Sequence, residues 1–337
     1  MAGAGPPHGG DAGRTNRRVR RQRLALAPGT ELRYISCMHG TSPASTAAAV
    51  PPTVPRPFEI LIPTGARRLL VVASPHSGDH YPSEFLAASR LDPLTLRKSE
   101  DCFVDEICGL APELGAPLLR ALFPRAFVDC NREPWELDPL MFEDALPAFV
   151  NHSSPRVAVG LGTIARLVAD GQAIYRHKLR FAEAESRIET LYRPYHAALG
   201  DLVDEAVASF GACILLDAHS MPSVGSGPGP ARARRRVDIV LGDRMGSACH
   251  PLVIDTAERV LHDQGYQVIR NTPYAGGFTT RHYGRPGEGR HALQIELNRA
   301  LYMDEGRLER KPFLATLKQD IGLVMAALGM INPADLV

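Results

Sequence analysis

The stretch Leu215-Leu216-Asp217-Ala218-His219-Ser220-Met221-Pro222 ends an apolar run that begins at Cys213, and it places a carboxylate, an imidazole and a hydroxyl directly after that run. The prolines and glycines between residues 222 and 230 then exclude a regular element. This pattern predicts a buried strand that ends in an active-site loop of an open α/β sheet. A histidine in that place binds a metal through one nitrogen while a neighbouring carboxylate orients the other. The alternative is a core strand that ends in a hydrogen-bonded structural histidine.

The composition is that of an ordinary globular protein, with 45% hydrophobic and 22% charged residues. The length of 337 residues is near the upper limit for one domain with a single core. A net charge of +1 gives no general attraction for nucleic acid or membrane, and no apolar run approaches the roughly 20 residues that span a bilayer. The six cysteines are scattered without a CxxC pair, which predicts reduced, buried thiols in a cytoplasmic protein.

Residues 1–55 differ in composition from the rest of the chain. They contain Gly-, Pro- and Ala-rich runs and a basic cluster between Arg17 and Arg23 without hydrophobic periodicity, so we expect a disordered low-complexity tail. The apolar segment from Leu24 to Pro28 is too short to complete a twin-arginine export signal. Translation that starts at Met38 is an alternative that we favour over targeting. Residues 56–337 are predicted to form a single α/β domain.

Beyond residue 55, segments with strand and helix patterns alternate along the chain. The predicted strands are residues 68–73, 126–130, 213–216, 237–242, 266–270 and 292–297. The predicted helices are residues 93–110, 164–210 (as two helices), 251–265 and 314–328. This alternation predicts a three-layer α/β/α domain with a mixed, mostly parallel central sheet.

Polar side chains concentrate where the predicted strands end. Hydrolysis of an amide with a metal needs N or O ligands, an open position for water and a general base near that water. His76 and His219 are the nitrogen ligands in this interpretation, and either Asp79 or Asp101 is the carboxylate ligand. Glu296 is an acid within an apolar strand, where burial raises its pKa towards that of a working base.

Each of these residues also has a structural interpretation. A histidine at a strand end is often a hydrogen-bonded core residue, and a glutamate such as Glu296 often pairs with an arginine, for example Arg299. Four acidic or imidazole groups at the ends of different strands favour a common site over separate structural roles. The sequence therefore predicts one metal site with Glu296 as the general base.

The chain resembles the N-formylglutamate amidohydrolase family in eight segments that follow the family order. These are residues 74–78 (SPHSG), 101–105 (DCFVD), 125–132 (RAFVDCNR), 192–196 (YRPYH), 216–222 (LDAHSMP), 238–242 (DIVLG), 271–277 (NTPYAGG) and 293–303 (LQIELNRALYM). The resemblance implies a zinc-type hydrolase with a phosphorylase/hydrolase-like fold. It also implies the splitting of N-formyl-L-glutamate into formate and glutamate, late in histidine degradation.

The chain is similar, more remotely, to zinc carboxypeptidases, in which His-x-x-Glu, Asn-Arg, His-Ser and a Glu inside a strand occur in this order. The matching residues here are His76, Asp79, Asn131, Arg132, His219, Ser220, Glu296 and Leu297. This likeness implies a carboxypeptidase-like fold, one Zn²⁺ ion and a clamp for the substrate carboxylate at Arg132. Asp79 stands where the pattern has Glu and is one methylene shorter, which keeps Asp101 as an alternative ligand.

N-formylglutamate carries two carboxylates, and the planar fork of arginine binds carboxylates bidentately. Besides Arg132, Arg281 lies in a glycine-flanked loop suited to close over a substrate, and Arg125 is expected to polarise the scissile carbonyl. The segment 271–277 is rich in turn residues and is predicted to be a lid. Further candidates for contacts with the small dicarboxylate substrate are Asn131, Tyr274 and His282.

Two other functions stay open at this point. Hydrolysis of another N-acyl amino acid, or of a C-terminal peptide bond, uses the same chemistry. A metal- or peptide-binding module without turnover is the second, but it would not need Glu296 as a base. The arginines between residues 232 and 236 lack interleaved aromatics, so we interpret them as a solvated loop rather than a nucleic-acid site.

Overall fold

The computed structural model describes residues 56–63, 65–168, 171–223 and 237–336, and all of them belong to one compact unit. The predictions for residues 1–55 and for the arginines between 232 and 236 lie outside these ranges. No helix in the described ranges is long and apolar enough to cross a membrane. The five cysteines in these ranges are free and buried, as predicted.

A seven-stranded sheet forms the centre of the molecule. Its strands are β1 (Phe58–Leu61), β2 (Leu70–Ser74), β3 (Leu118–Ala121), β4 (Cys213–Met221), β5 (Ile239–Gly242), β6 (Val268–Arg270) and β7 (Arg290–Asn298), in the order β1-β3-β2-β4-β7-β5-β6. Strands β3, β2, β4 and β7 are neighbours in that order and run parallel, and β5 and β6 also run parallel to each other. Strand β1 runs antiparallel to β3, and β5 runs antiparallel to β7. The mixed, mostly parallel sheet predicted from the sequence is confirmed. A small hairpin, β8 (Met303–Asp304) and β9 (Glu309–Arg310), lies outside it.

Helices cover both faces of this sheet. They are α1 (Ser83–Ala88), α2 (Pro93–Arg97), α3 (Val104–Ile107), α4 (Pro155–Ala158), α5 (Phe181–Arg187), α6 (Arg193–Phe210), α7 (Pro251–Asp263), α8 (Phe278–Tyr283) and α9 (Phe313–Gly329). Helices α3, α7 and α9 pack together on one face, while α6 packs on β4 and β2 from the other. Helix α6 ends at Gly211, whose φ of 82° is left-handed and favours glycine.

Side chains along the central strands alternate between two hydrophobic clusters, one for each face of the sheet. In β4, Ile214 and Leu216 join the cluster under α7 and α9, whereas Cys213 and Leu215 join the cluster under α6. Because the side-chain period of a strand is two, Asp217 and His219 lie on the same face as Leu215.

Three predicted elements differ from the structure. Residues 126–130 are buried but form a turn, because Phe127 and Val128 donate to the carbonyl of Pro124 and Asp129 donates to that of Thr163. The predicted helix 93–110 is two short helices, α2 and α3, separated by the segment that carries Asp101. The helical stretch predicted from residue 164 begins only at Phe181, and a π-helical turn, Ile188–Tyr192, joins α5 to α6.

Strand β4 is also longer than predicted, because it continues to Met221 and is buried along its whole length. The polar residues of the opening stretch therefore lie within the strand and not in the loop after it. Their neighbours are set by the register with β7, in which Asp217 is opposite Gln294 and His219 is opposite Glu296.

Candidate active site

Two histidines and one aspartate converge at the carboxyl ends of β2 and β4. His76 follows β2, His219 lies in β4, and Asp101 lies between α2 and α3. The Nδ1 atoms of the two histidines are 3.1 Å apart, and Asp101 Oδ2 lies 3.1 Å from His76 Nδ1 and 3.2 Å from His219 Nδ1. All three side chains are buried. The group can hold a metal ion, since each residue offers one ligand atom to the same point.

The size and chemistry of this group fit a tetrahedral metal site. Bonds of about 2.0–2.1 Å from a zinc ion to N and O ligands place neighbouring ligand atoms roughly 3.3 Å apart. Burial would lower the pKa of His219, but the charges of Asp217 and Glu296 and a hydrogen bond with Asp101 raise it well above its usual value. The surrounding carboxylates therefore favour a positive charge at the centre, which a bound cation supplies.

The outer nitrogen of each imidazole faces a second carboxylate. His76 Nε2 lies 2.8 Å from Asp129 Oδ1, and His219 Nε2 lies 3.0 Å from Asp217 Oδ2. Asp129 accepts the Nε2 proton of His76, so that Nδ1 of this histidine carries the lone pair available to a metal. Asp217 lies beside His219 Nε2, but its carboxylate oxygens form no hydrogen bond among the described residues, so the carboxylate expected from the sequence is present here as a neighbouring charge. The role of Asp129 towards His76 was not predicted.

The other carboxylate oxygen of Asp101, Oδ1, accepts two hydrogen bonds. Ser220 Oγ donates to Asp101 Oδ1 at 2.9 Å, and Arg299 Nη2 donates to the same oxygen at 3.1 Å. Burial would raise the pKa of Asp101, but its contacts with the His219 and His76 imidazoles and the charge of Arg125 keep it well below its usual range. Asp79, the alternative carboxylate, is exposed and lies outside the buried group.

We expect Arg299→Ala to weaken metal affinity by about 10- to 100-fold, because the substitution leaves Asp101 oriented by Ser220 alone. A competition titration against a chromophoric chelator measures the dissociation constant directly. Arg259→Ala is the matched control, since Arg259 is exposed on α7. Equal metal affinity in the two variants would contradict this role of Arg299.

Glu296 lies in β7 directly across the ladder from His219 and lines a cavity of about 270 Å³ with the His-Asp-His group. Gln294 Nε2 donates to Glu296 Oε1 at 2.8 Å, and the backbone N–H of Gly277 donates to Gln294 Oε1 at 2.8 Å. Burial raises the pKa of Glu296 to about 7, against the charge of His219. Arg299 pairs with Asp101. The ion pair between Arg299 and Glu296 that was considered from the sequence is therefore absent.

Arg125 and Arg132 both line the cavity. Arg125 Nη2 donates to Asp129 Oδ2 at 2.8 Å, and its Nη1 lies 3.8 Å from Asp101 Oδ2. Arg132 donates through Nε to the carbonyl of Leu161 and through Nη1 to that of Asn131. Arg132 is thus fixed by backbone groups, with Nη2 at 3.5 Å from Asp129 Oδ2.

Asn131 is oriented by the backbone of α8. The N–H of Thr279 donates to Asn131 Oδ1 at 2.8 Å, which places the amide nitrogen 3.1 Å from His219 Nε2, at the cavity wall. Gly277 allows this close approach, because a Cβ there would lie 2.4 Å from the Asn131 side chain. The Asn131 amide group therefore lies at the cavity wall, beside His219.

The remaining predicted substrate contacts divide between two depressions. Tyr274 and the segment 273–277, part of the predicted lid, line the same cavity as Glu296. Arg281 and His282 are exposed and line a separate depression with Trp135 and Phe149, where Arg281 pairs with Glu133. The structure does not bring Arg281 and His282 to the metal-ligand group.

Several residues of the site were not predicted from the sequence. They are Asp129, Gln294, the cavity-lining Arg156 and, as a partner of Asp101, Arg299. Gln294 could have been found, because it lies two residues before Glu296 in a predicted strand and so shares its face. Asp129 lies in an irregular segment and Arg156 lies in the four-residue helix α4, and sequence spacing predicts no side-chain direction in either.

Comparisons with known proteins identify the family to which the chain is similar. A family model described as N-formylglutamate amidohydrolase matches residues 69–303. The N-formylglutamate deformylases of Pseudomonas aeruginosa and Pseudomonas putida are 29% and 26% identical over 255 and 259 residues, which cover 73% and 75% of this chain and 86% of each relative. The crystal structure of N-formylglutamate amidohydrolase from Ralstonia eutropha JMP134 is 39% identical, with a TM-score of 0.78 over 83% of this chain and 99% of that one.

Proposed function

The chain belongs to the N-formylglutamate amidohydrolase family, and we propose that it hydrolyses N-formyl-L-glutamate to formate and L-glutamate with the help of one divalent metal ion. The observation that carries this proposal is the triangle of His76, Asp101 and His219 ligand atoms, which faces a cavity shared with the buried acid Glu296. We further propose that the reaction belongs to histidine degradation in the cytoplasm, on the basis of the family resemblance.

His76, Asp101 and His219 are the proposed metal ligands, and zinc is the proposed ion. Two imidazoles and one carboxylate are a donor set that zinc accepts, and three protein ligands leave one position open. Zinc in such a site supplies an acidified water molecule and polarises a carbonyl group. Asp129 keeps the His76 imidazole in the tautomer that presents Nδ1, and the negative charge of Asp217 beside Nε2 favours the same tautomer of His219.

Glu296 is the proposed general base. A bound cation lowers the pKa of a nearby carboxylate, so the value of about 7 set by burial falls and Glu296 is ionised at neutral pH. The carboxylate accepts a proton from the attacking water and then delivers it to the amide nitrogen as the C–N bond breaks. Gln294 holds the carboxylate in place for both steps.

Arg125 and Arg132 have different proposed roles in the cavity. Arg125 is held by Asp129 close to Asp101, so its charge lies beside the ligand group and stabilises the oxyanion that develops on the formyl oxygen. Arg132 is fixed by two carbonyl groups and binds the α-carboxylate of the substrate, together with the amide nitrogen of Asn131. Tyr274 closes the cavity from the side of the lid.

The experiment that tests this function is a substrate panel on metal-loaded protein. Release of the free amino acid is measured for N-formyl and N-acetyl derivatives of glutamate, glutamine, methionine and alanine, and the metal content of the same sample is determined. We expect N-formyl-L-glutamate to give the highest kcat/KM. Preference for an N-acetyl substrate would indicate another N-acyl amino acid hydrolase, and no turnover with a full metal equivalent would favour a binding module.

A further inference from the structure

Arg156 is a fourth arginine of the cavity and has no partner in the scheme above. It lies in α4, behind the helix cap Ser154, and it is exposed. Leu161, Gly162 and Leu167, in the segment after α4, also line the cavity. Helix α4 and this segment therefore form one side of the cavity. No carboxylate among the described residues forms an ion pair with Arg156. Its guanidinium is thus available to an anion that enters the cavity.

With a divalent cation bound, the charges at the cavity would not balance without such an anion. Four arginines and three carboxylates, Asp101, Asp129 and Glu296, line the cavity, and a fourth carboxylate, Asp217, lies beside His219. Arg299 pairs with Asp101 and Arg125 pairs with Asp129, at 3.1 and 2.8 Å. A divalent cation would add two further positive charges. A ligand with two negative charges therefore fits the electrostatic requirement of this cavity better than a ligand with one.

Among the four arginines of the cavity, Arg132 and Arg156 are those whose positive charge is least compensated by carboxylates. Burial lowers the pKa of Arg132, and the charges of Arg125 and Arg156 lower it further, against the opposing charges of Asp129 and Glu136. Two guanidinium groups that repel each other across one cavity are stabilised when carboxylates bind to them. Arg132 uses two of its five N–H groups on the carbonyls of Leu161 and Asn131, which leaves donors for a ligand.

We propose that Arg156 binds the side-chain carboxylate of the substrate and so selects dicarboxylic N-formyl amino acids over monocarboxylic ones. This inference rests on the proposed function and names the residue that determines its specificity. Arg132 contacts Asp129, which holds the ligand His76, so Arg132 lies towards the reacting end of the cavity. The α-carboxylate is attached to the same carbon as the scissile amide and suits Arg132. The side-chain carboxylate is separated from that carbon by two methylene groups, so it reaches the cavity wall at α4, which carries Arg156.

The test compares N-formyl-L-glutamate with N-formyl-L-glutamine, which has nearly the same shape but no side-chain charge. Both substrates are measured on metal-loaded wild type, Arg156→Ala, Arg156→Lys and the control Arg259→Ala. In Arg156→Ala we expect the ratio of kcat/KM for glutamate over glutamine to fall about tenfold or more, through KM. Turnover of the glutamine substrate should stay within about twofold of wild type, and Arg156→Lys should restore part of the ratio.

The possible outcomes separate this inference from the proposed function. If wild type hydrolyses N-formyl-L-glutamate and Arg156→Ala keeps the wild-type ratio, the specificity role of Arg156 is wrong and the function stands. An equal loss on both substrates would also overturn it, since a structural defect does not depend on side-chain charge. If metal-loaded wild type hydrolyses neither substrate, both proposals fail. Melting temperature and metal content are measured on each variant to exclude misfolding.

Discussion

Glu296→Gln should lower kcat by about 10²- to 10⁴-fold, the usual contribution of a positioned general base. Glutamine keeps the volume of the side chain and accepts the hydrogen bond from Gln294, but it cannot take a proton from water. The variant should still fold, bind one metal equivalent and bind substrate. Steady-state kinetics, metal analysis and a thermal melt on one preparation measure all of these properties.

A structural role for Glu296 makes the opposite prediction, in which the melting temperature falls and kcat is nearly unchanged. Glu296→Asp is an informative comparison, because it keeps an ionisable group but withdraws it by one methylene. We expect its kcat to lie between those of wild type and Glu296→Gln. A stable, metal-loaded Gln variant with wild-type kcat would remove Glu296 from the mechanism.

His76→Ala, His219→Ala and Asp101→Ala should each lose bound metal and, with it, nearly all turnover. Each substitution removes one of three protein ligands and leaves the charges of the buried partners without compensation. The metal-to-protein ratio after desalting is the measurement. Each variant is compared with wild type treated in parallel.

Asp79→Ala is the control that separates the two carboxylates considered from the sequence. Asp79 is exposed, whereas Asp101 lies within 3.2 Å of both histidine Nδ1 atoms. We therefore expect Asp79→Ala to retain a full metal equivalent. Loss of metal from Asp79→Ala, together with retention by Asp101→Ala, would reverse the assignment.

The sequence predicted the parts of the site that lie on or directly after strands. His76, His219 and Glu296 were identified because hydrophobic strand patterns and period-two alternation determine both the end of a strand and the direction of its side chains. The choice between Asp79 and Asp101 was left open, since both occur in polar segments. Asp101 lies where the predicted helix 93–110 is interrupted, and helical spacing does not report such a break when buried hydrophobic residues continue on both sides.

The charged wall of the cavity was predicted less well. Arg281 was selected for its glycine-flanked loop, but α8 directs it into the neighbouring depression, where it pairs with Glu133. Arg156 lines the cavity from the short helix α4. The position of α4 and of the segment after it depends on long-range contacts, for example the hydrogen bond from Arg132 to the carbonyl of Leu161. Spacing along the chain contains no signal for contacts of this kind.

The register of β4 and β7 has a consequence for how this enzyme family can diversify. His219 and Glu296 occupy one rung of a parallel ladder, so backbone hydrogen bonds in the centre of the sheet set the separation of ligand and base. The segments that carry Arg156 and Tyr274 are attached at the rim and take no part in that rung. With the roles proposed above, insertions or replacements in these segments would change which amino acid is accepted and leave the separation of the proposed ligand and base unchanged. Grafting either segment from a relative with another substrate tests this division of roles.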